Sequence, residues 1–181
     1  MSGERRVIVG ASGSPGSLRA LRHAEDLARH SVATLIPVLA WTPPGGDVAA
    51  RRQPCPTLVR IWEDAAWQRL WAALEAAWGE IPADVAVQPI VQHGQPGHVL
   101  VEAACHPDDL LVVGAGRRGT LARMWSARVS RYCLAHARCP VIAVPPAGLA
   151  QQAGHGLRGW PRRRRAMTVD RLLRDGGSVT A

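Results

Sequence analysis

Five short apolar runs alternate with stretches of helical periodicity, and this alternation restricts the chain more than any other feature. The runs are RVIVGAS, VATLIPVLAW, DVAVQPIVQ, DDLLVVGAG and CPVIAVPP. Between the first two, GSLRALRHAEDLARH puts Leu18, Leu21, Ala24, Leu27 and Ala28 on one helical face. Ser14 or Ser17 suits its N-cap, with Pro15 favouring the first turn. Further helices are expected over about 57–78, in GHVLVEAACH and in MWSARVSRYCLAHA. Strands that alternate with helices pair in parallel through right-handed crossovers, which place helices on both sheet faces. The expected fold class is therefore α/β: an open five-stranded parallel sheet with helices on both faces, Rossmann-like.

Two prolines test that reading. Pro37 lies inside the second run and removes a ladder donor, so an edge position or a bulge is expected there. Pro89 does the same in the third run. In the long helix, Trp67, Trp71, Leu74 and Trp78 fall at i, i+4, i+7 and i+11 and are expected to face the sheet. Trp62 lies off that stripe and is expected to be the exposed tryptophan. After Pro146 the alternation stops. Residues 1–146 are read as one domain and 147–181 as a basic, flexible tail with one short helix around Val169–Leu173.

Open parallel sheets bind ligands beyond the carboxyl ends of their strands, where strand order reverses. The ends of the first and fourth strands, VGASGS and VGAGRRG, are the candidate site. Gly114, Gly116 and Gly119 spell G-x-G-x-x-G there. A dinucleotide site also needs an acid about 20 residues on, and after Asp109 the next acid is Asp170. The motif follows the fourth strand rather than the first, which also argues against a nicotinamide or flavin site. All 22 basic residues are arginine. The absence of lysine excludes a Walker-type phosphate loop and Schiff-base chemistry.

VIVGASGSPGSLRALRHA and DLLVVGAGRRGTLARMWSARVSRYCLAHARCPVIAV resemble the universal stress protein family, over about residues 5–146, in its actinobacterial form. The resemblance implies an adenine-nucleotide alpha-hydrolase-like sheet and a homodimer through the last strand, residues 140–145. It also implies an aspartate after the first strand of ATP-binding members and a loop G-x2-G-x9-G-[ST] after the fourth. Here Gly10 agrees, but Ser12 stands at the aspartate position. Gly114 is the first loop glycine; Arg117, Ala127 and Arg128 occupy the other three loop positions, with Val129 beside them. Arg117 brings a side chain where a glycine lets backbone approach a phosphate. Guanidinium groups near a helix start also bind anions. Trp41 ends the second strand, where it either stacks on a base or covers the sheet end. ATP or AMP are the candidate ligands, and the residues establish no cofactor.

Other constellations carry less. Cys133, His136 and Cys139 have C-x2-H-x2-C spacing, but only the first two share a helical face, so no metal is expected. His93 and His98 in QHGQPGH are read as a turn. Neither Ser12 nor Ser14 is centred in G-x-S-x-G, and no hydrolase triad follows. The four cysteines lack paired spacing and are expected to be free thiols of a cytoplasmic protein. No run is long and apolar enough for a membrane span. The net charge of +8 divides unevenly: 15 arginines against 12 acids in 1–150, and 7 against 2 in 151–181. Arg162–Arg165 would give a weak, salt-sensitive nucleic-acid contact. The expected function is a dimeric, non-enzymatic stress-response regulator with a degenerate nucleotide pocket. The alternatives are an adenine-nucleotide sensor that uses arginines in place of the usual loop, and a basic-tailed nucleic-acid binder.

Overall fold

The structure is a computed structural model that describes residues 5–46, 55–115 and 121–145, and the side chains of all of these but 121–127. Five parallel strands form one sheet in the order β3-β2-β1-β4-β5. They are β1 (Arg6–Gly10), β2 (Thr34–Trp41), β3 (Ile90–His93), β4 (Leu110–Gly114) and β5 (Val141–Val144). The helices are α1 (Pro15–Ser31), α2 (Pro56–Trp78), α3 (Pro96–Ala103) and α4 (Leu121–His136).

Alternation of side chains along the strands divides the core in two. Val7, Val9, Leu35, Leu39 and Val112 face α1 and α2. Ile8, Ile36, Val38, Leu111 and Val113 face α3 and α4. The expected α/β architecture is the observed one, and strand order reverses between β1 and β4.

Pro37 is neither at an edge nor in a bulge. It lies in β2, an interior strand, and its register with β1 is unbroken from Arg6↔Thr34 to Gly10↔Val38. In a parallel strand both polar groups of one residue point to the same neighbour. Leu35 donates to Ala86 O and accepts from Gln88 N on the β3 side. Two residues on, Pro37 faces the same side with no N–H to give. The ladder is interrupted there, between the isolated Leu35↔Val87 bridge and the Val38↔Ile90 pair. The sheet loses one hydrogen bond to β3 and keeps its β1 ladder intact. This also shortens the third strand from the expected nine residues to Ile90–His93.

The tryptophan stripe is also corrected. The buried face of α2 is Ala66, Leu70, Ala73, Leu74 and Ala77. Alanines let α2 approach α1 closely, and Arg22 of α1 donates to Ala76 O and Ala77 O near the end of α2 at 3.0 and 2.8 Å. Trp67 and Trp78 flank this seam, while Trp71 is 46% exposed and lies beside Trp67. Trp62, expected outside, packs half-buried against the core. Small residues took the closest approach, so the bulky ones were displaced to its rims.

Candidate functional site

The carboxyl ends of β1 and β4 meet the first turn of α1. Three serines organise this corner. Ser14 is the N-cap of α1, and its Oγ accepts from Ser17 N at 3.2 Å. Ser17 Oγ donates to Ser14 O at 3.0 Å and accepts from Ser12 N at 3.2 Å. Ser12 Oγ and Ser14 Oγ lie 3.1 Å apart. Gly13 turns the chain between them with φ +73°, a conformation that side chains rarely adopt. The backbone N–H of Ser12 is therefore used inside the protein. Its hydroxyl is exposed, and no carboxylate stands at this position.

Gly114 ends β4 against the start of α1. A Cβ built there would lie 2.6 Å from both C and O of Gly16 and 3.1 Å from Ser17 N. The first loop glycine thus has a packing reason of its own: it admits the α1 backbone. Gly10 is looser, with a Cβ meeting Leu100 Cδ1 of α3 at 3.2 Å.

The remaining described candidates lie on β2 and α4. Trp41 is 6% exposed and belongs to the core. Its ring lies 4.9 Å from that of His93 at 57°. Its burial suits the reading in which it covers the sheet end. On α4, Arg128 is exposed and Val129 half-buried; Ala127 precedes them in the helix. Gly116, Arg117 and Gly119 lie outside the described residues, as do Arg162–Arg165 and the expected helix at 169–173. The structure brings Gly10, Ser12 and Gly114 to one corner, and adds Gly16 and Ser17. Ser17 was legible only as an alternative cap.

His98 proves to be helical, in α3, rather than part of a turn. Its Nδ1 lies 3.0 Å from Tyr132 OH, and Tyr132 stacks on His136 with centroids 4.1 Å apart. Cys133 and Cys139 are buried, whereas His136 is exposed, so the three do not converge. Among the described residues no group of three His, Cys, Asp or Glu side chains is placed to hold a metal. All four cysteines are free thiols, Cys55 and Cys105 being the exposed ones. Burial pushes the Cys133 thiol up to about 11 and raises that of Cys139.

The opposite end of the sheet is tied by an ion pair. Arg6 of β1 forks onto Asp109, with Nε to Oδ1 at 2.9 Å and Nη2 to Oδ2 at 2.5 Å. The Asp109 side chain is 2% exposed and also accepts His106 N at 2.9 Å. This pair joins β1 to the turn before β4.

The universal stress protein family model matches residues 4–145. The chain belongs to the universal stress protein family. Its similar relatives include a universal stress protein of Mycolicibacterium smegmatis, 32% identical over 142 residues, 77% of this chain and 45% of that protein. A universal stress protein of Mycobacterium tuberculosis strain H37Rv is 35% identical over 136 residues, 75% and 44% of the two lengths. The chain thus spans less than half the length of the curated relatives it matches. A solved universal stress protein in complex with cAMP is 26% identical, with TM-score 0.50 over 81% of this chain and 100% of that one. The hypothetical protein MJ0577 gives TM-score 0.61 at 14% identity over 78% and 95% of the two chains, a likeness of fold alone. No described helix is long and apolar enough to cross a membrane.

Proposed function

We propose that this universal stress protein is a non-enzymatic stress-response regulator whose β1/β4 pocket has given up the family's ATP cradle. One observation carries the reading. Where the resemblance implies an aspartate, Ser12 spends its N–H on Ser17 and turns its hydroxyl beside Ser14. Among the described residues, no charged acceptor for ribose hydroxyls and no general base is offered at that strand end. Gly114, the surviving loop glycine, is accounted for by its approach to Gly16. The regulator is proposed to act as a homodimer through residues 140–145. Support for this is that β5 lies at the sheet edge with all four residues half-buried.

The test is the melting temperature of the protein with and without millimolar ATP, AMP, cAMP or inorganic phosphate. A ligand at about 100 times its dissociation constant adds about 2.7 kcal/mol, a shift of several degrees. The proposal expects no shift with ATP. A second reading is favoured by the relative solved with cAMP. In it, Arg117 and Arg128 hold an adenine nucleotide in a different pose. It expects a shift with AMP or cAMP that plain phosphate does not reproduce, and such a shift overturns the first reading.

A further inference from the structure

The first ten residues of α2 overhang the core: from Pro56 to Ala65 every residue is exposed except the half-buried Trp62. Leu58, Val59 and Ile61 are 42%, 41% and 54% exposed. At helical spacing Leu58, Val59, Ile61, Trp62 and Ala65 share one arc, and Arg60, Glu63 and Asp64 take the other. This is an amphipathic helix end on whose apolar side Trp62 reaches the core, while Leu58, Val59 and Ile61 stay exposed. Deeper in the same helix the apolar face is closed against α1 and the sheet.

The occupant is indicated by where the chain goes. Because α2 follows β2, its overhang stands at the carboxyl end of the sheet. All strands are parallel, so β5 ends at that same end, and residues 146–181 leave from there. From β5 to β2 is three strand spacings, about 14 Å, and the helix layer lies about 10 Å above. An extended chain covers about 3.3 Å per residue, so residues 146–166 reach the overhang with length to spare. The segment that follows, MTVDRLLR, places Val169, Leu172 and Leu173 at i, i+3 and i+4. Off that face it carries Asp170, Arg171 and Arg174, one net positive charge, and the polar arc of the overhang carries Arg60, Glu63 and Asp64, one net negative charge.

We propose that residues 167–174 of this chain dock on the overhanging apolar face of α2, with Val169, Leu172 and Leu173 against Leu58, Val59 and Ile61. The proposal stands apart from whether the β1/β4 corner binds a nucleotide.

The test uses the full chain and three variants: Ile61→Glu, Leu172→Glu and the double variant. Ile61 is exposed in the structure, so its substitution leaves the described core untouched. Melting temperature and solution mass are measured for each. The expected result is a fall of about 3 °C for each single variant, no further fall in the double variant, and an unchanged mass. Additive falls, or no effect of Leu172→Glu, overturn the proposal. A halved mass with Ile61→Glu also overturns it and makes a second copy of the chain the occupant. Unchanged melting in all three variants leaves the overhang bare and overturns it as well.

Discussion

Replacing Gly114 by alanine tests the account of the β1/β4 corner most directly. Gly114 has an ordinary negative-φ strand backbone, so the substitution carries no conformational penalty of its own. What it adds is one methyl group that meets C and O of Gly16 at 2.6 Å and Ser17 N at 3.1 Å. Non-bonded carbon atoms rest at about 3.5–4.0 Å, so two of these contacts are short by about 1 Å. The opposing atoms are backbone, in the first turn of a capped helix, and cannot rotate away. Relief requires α1 to shift from β4, which pulls Ser17 from Ser12 N and loosens the Ser14 cap. Overpacking costs about 1–3 kcal/mol, and a clash with backbone belongs at the top of that range. At about 2–4 °C per kcal/mol for a domain of this size, the melting temperature should fall by about 6–12 °C. Gly10→Ala is the matched control. Its methyl meets only the end of the Leu100 side chain at 3.2 Å, and a cost below about 1 kcal/mol is expected. Calorimetry or circular dichroism on both variants decides the matter. If Gly114→Ala melts within about 2 °C of the parent, or Gly10→Ala is the more damaging, the close approach is wrong. Gly114 would then be free to serve a ligand alone.

The remaining predictions concern charge and thiols. Arg6→Ala leaves the buried Asp109 carboxylate without its guanidinium and should cost about 3 kcal/mol by denaturant titration; an unchanged midpoint would show the pair to be incidental. A thiol reagent should modify Cys55 and Cys105 quickly and Cys133 and Cys139 only on unfolding, as their exposure dictates. The Cys133 thiol is raised in the folded state from 9.0 to about 11. Its stabilising contribution is full below pH 9 and lost as pH rises through 11; Cys133→Ala should flatten the alkaline limb of a melting curve. Asp84 is held below the ordinary carboxylate range by its hydrogen bond to Arg29. Its contribution is present at neutral pH and lost on acidification, so Asp84→Asn should reduce the acid dependence of stability, more visibly at low salt.

The sheet was legible because its signal is periodic and local. Runs such as LLVVG are apolar on both faces, and such strands are buried on both faces wherever they fall in the order. Pro37 was misjudged because sequence shows a missing donor without showing which neighbour it would have faced. The answer depends on a pairing with β3 more than fifty residues away. The α2 stripe was legible in part: Leu74 is buried and Trp67 and Trp78 pack on the core, but Trp71 is exposed, because the distance between two helices is set by the smallest residue that can sit there. At the site, sequence located the corner and its glycine. It could not show that Gly114 is claimed by Gly16, since that contact joins elements about a hundred residues apart. Ser12 was read as a lost acid, whereas in the structure it also belongs to the internal bonding of the helix start.

The two prolines of the β2–β3 region have a consequence for how copies of this sheet can add to one another. Gln88 N bonds inward to Leu35 O, so its neighbour Pro89 faces the free side and removes a donor from that border. With only four residues in β3, little backbone remains there for another chain to pair with. The opposite border keeps the outward N–H groups of Val141 and Ala143, with prolines placed only before and after them, at 140 and 145. A sheet with one receptive border and one sealed border is a chain terminator in the polymer sense. In the proposed dimer two copies meet receptive border to receptive border, and growth into a fibre stops at that step.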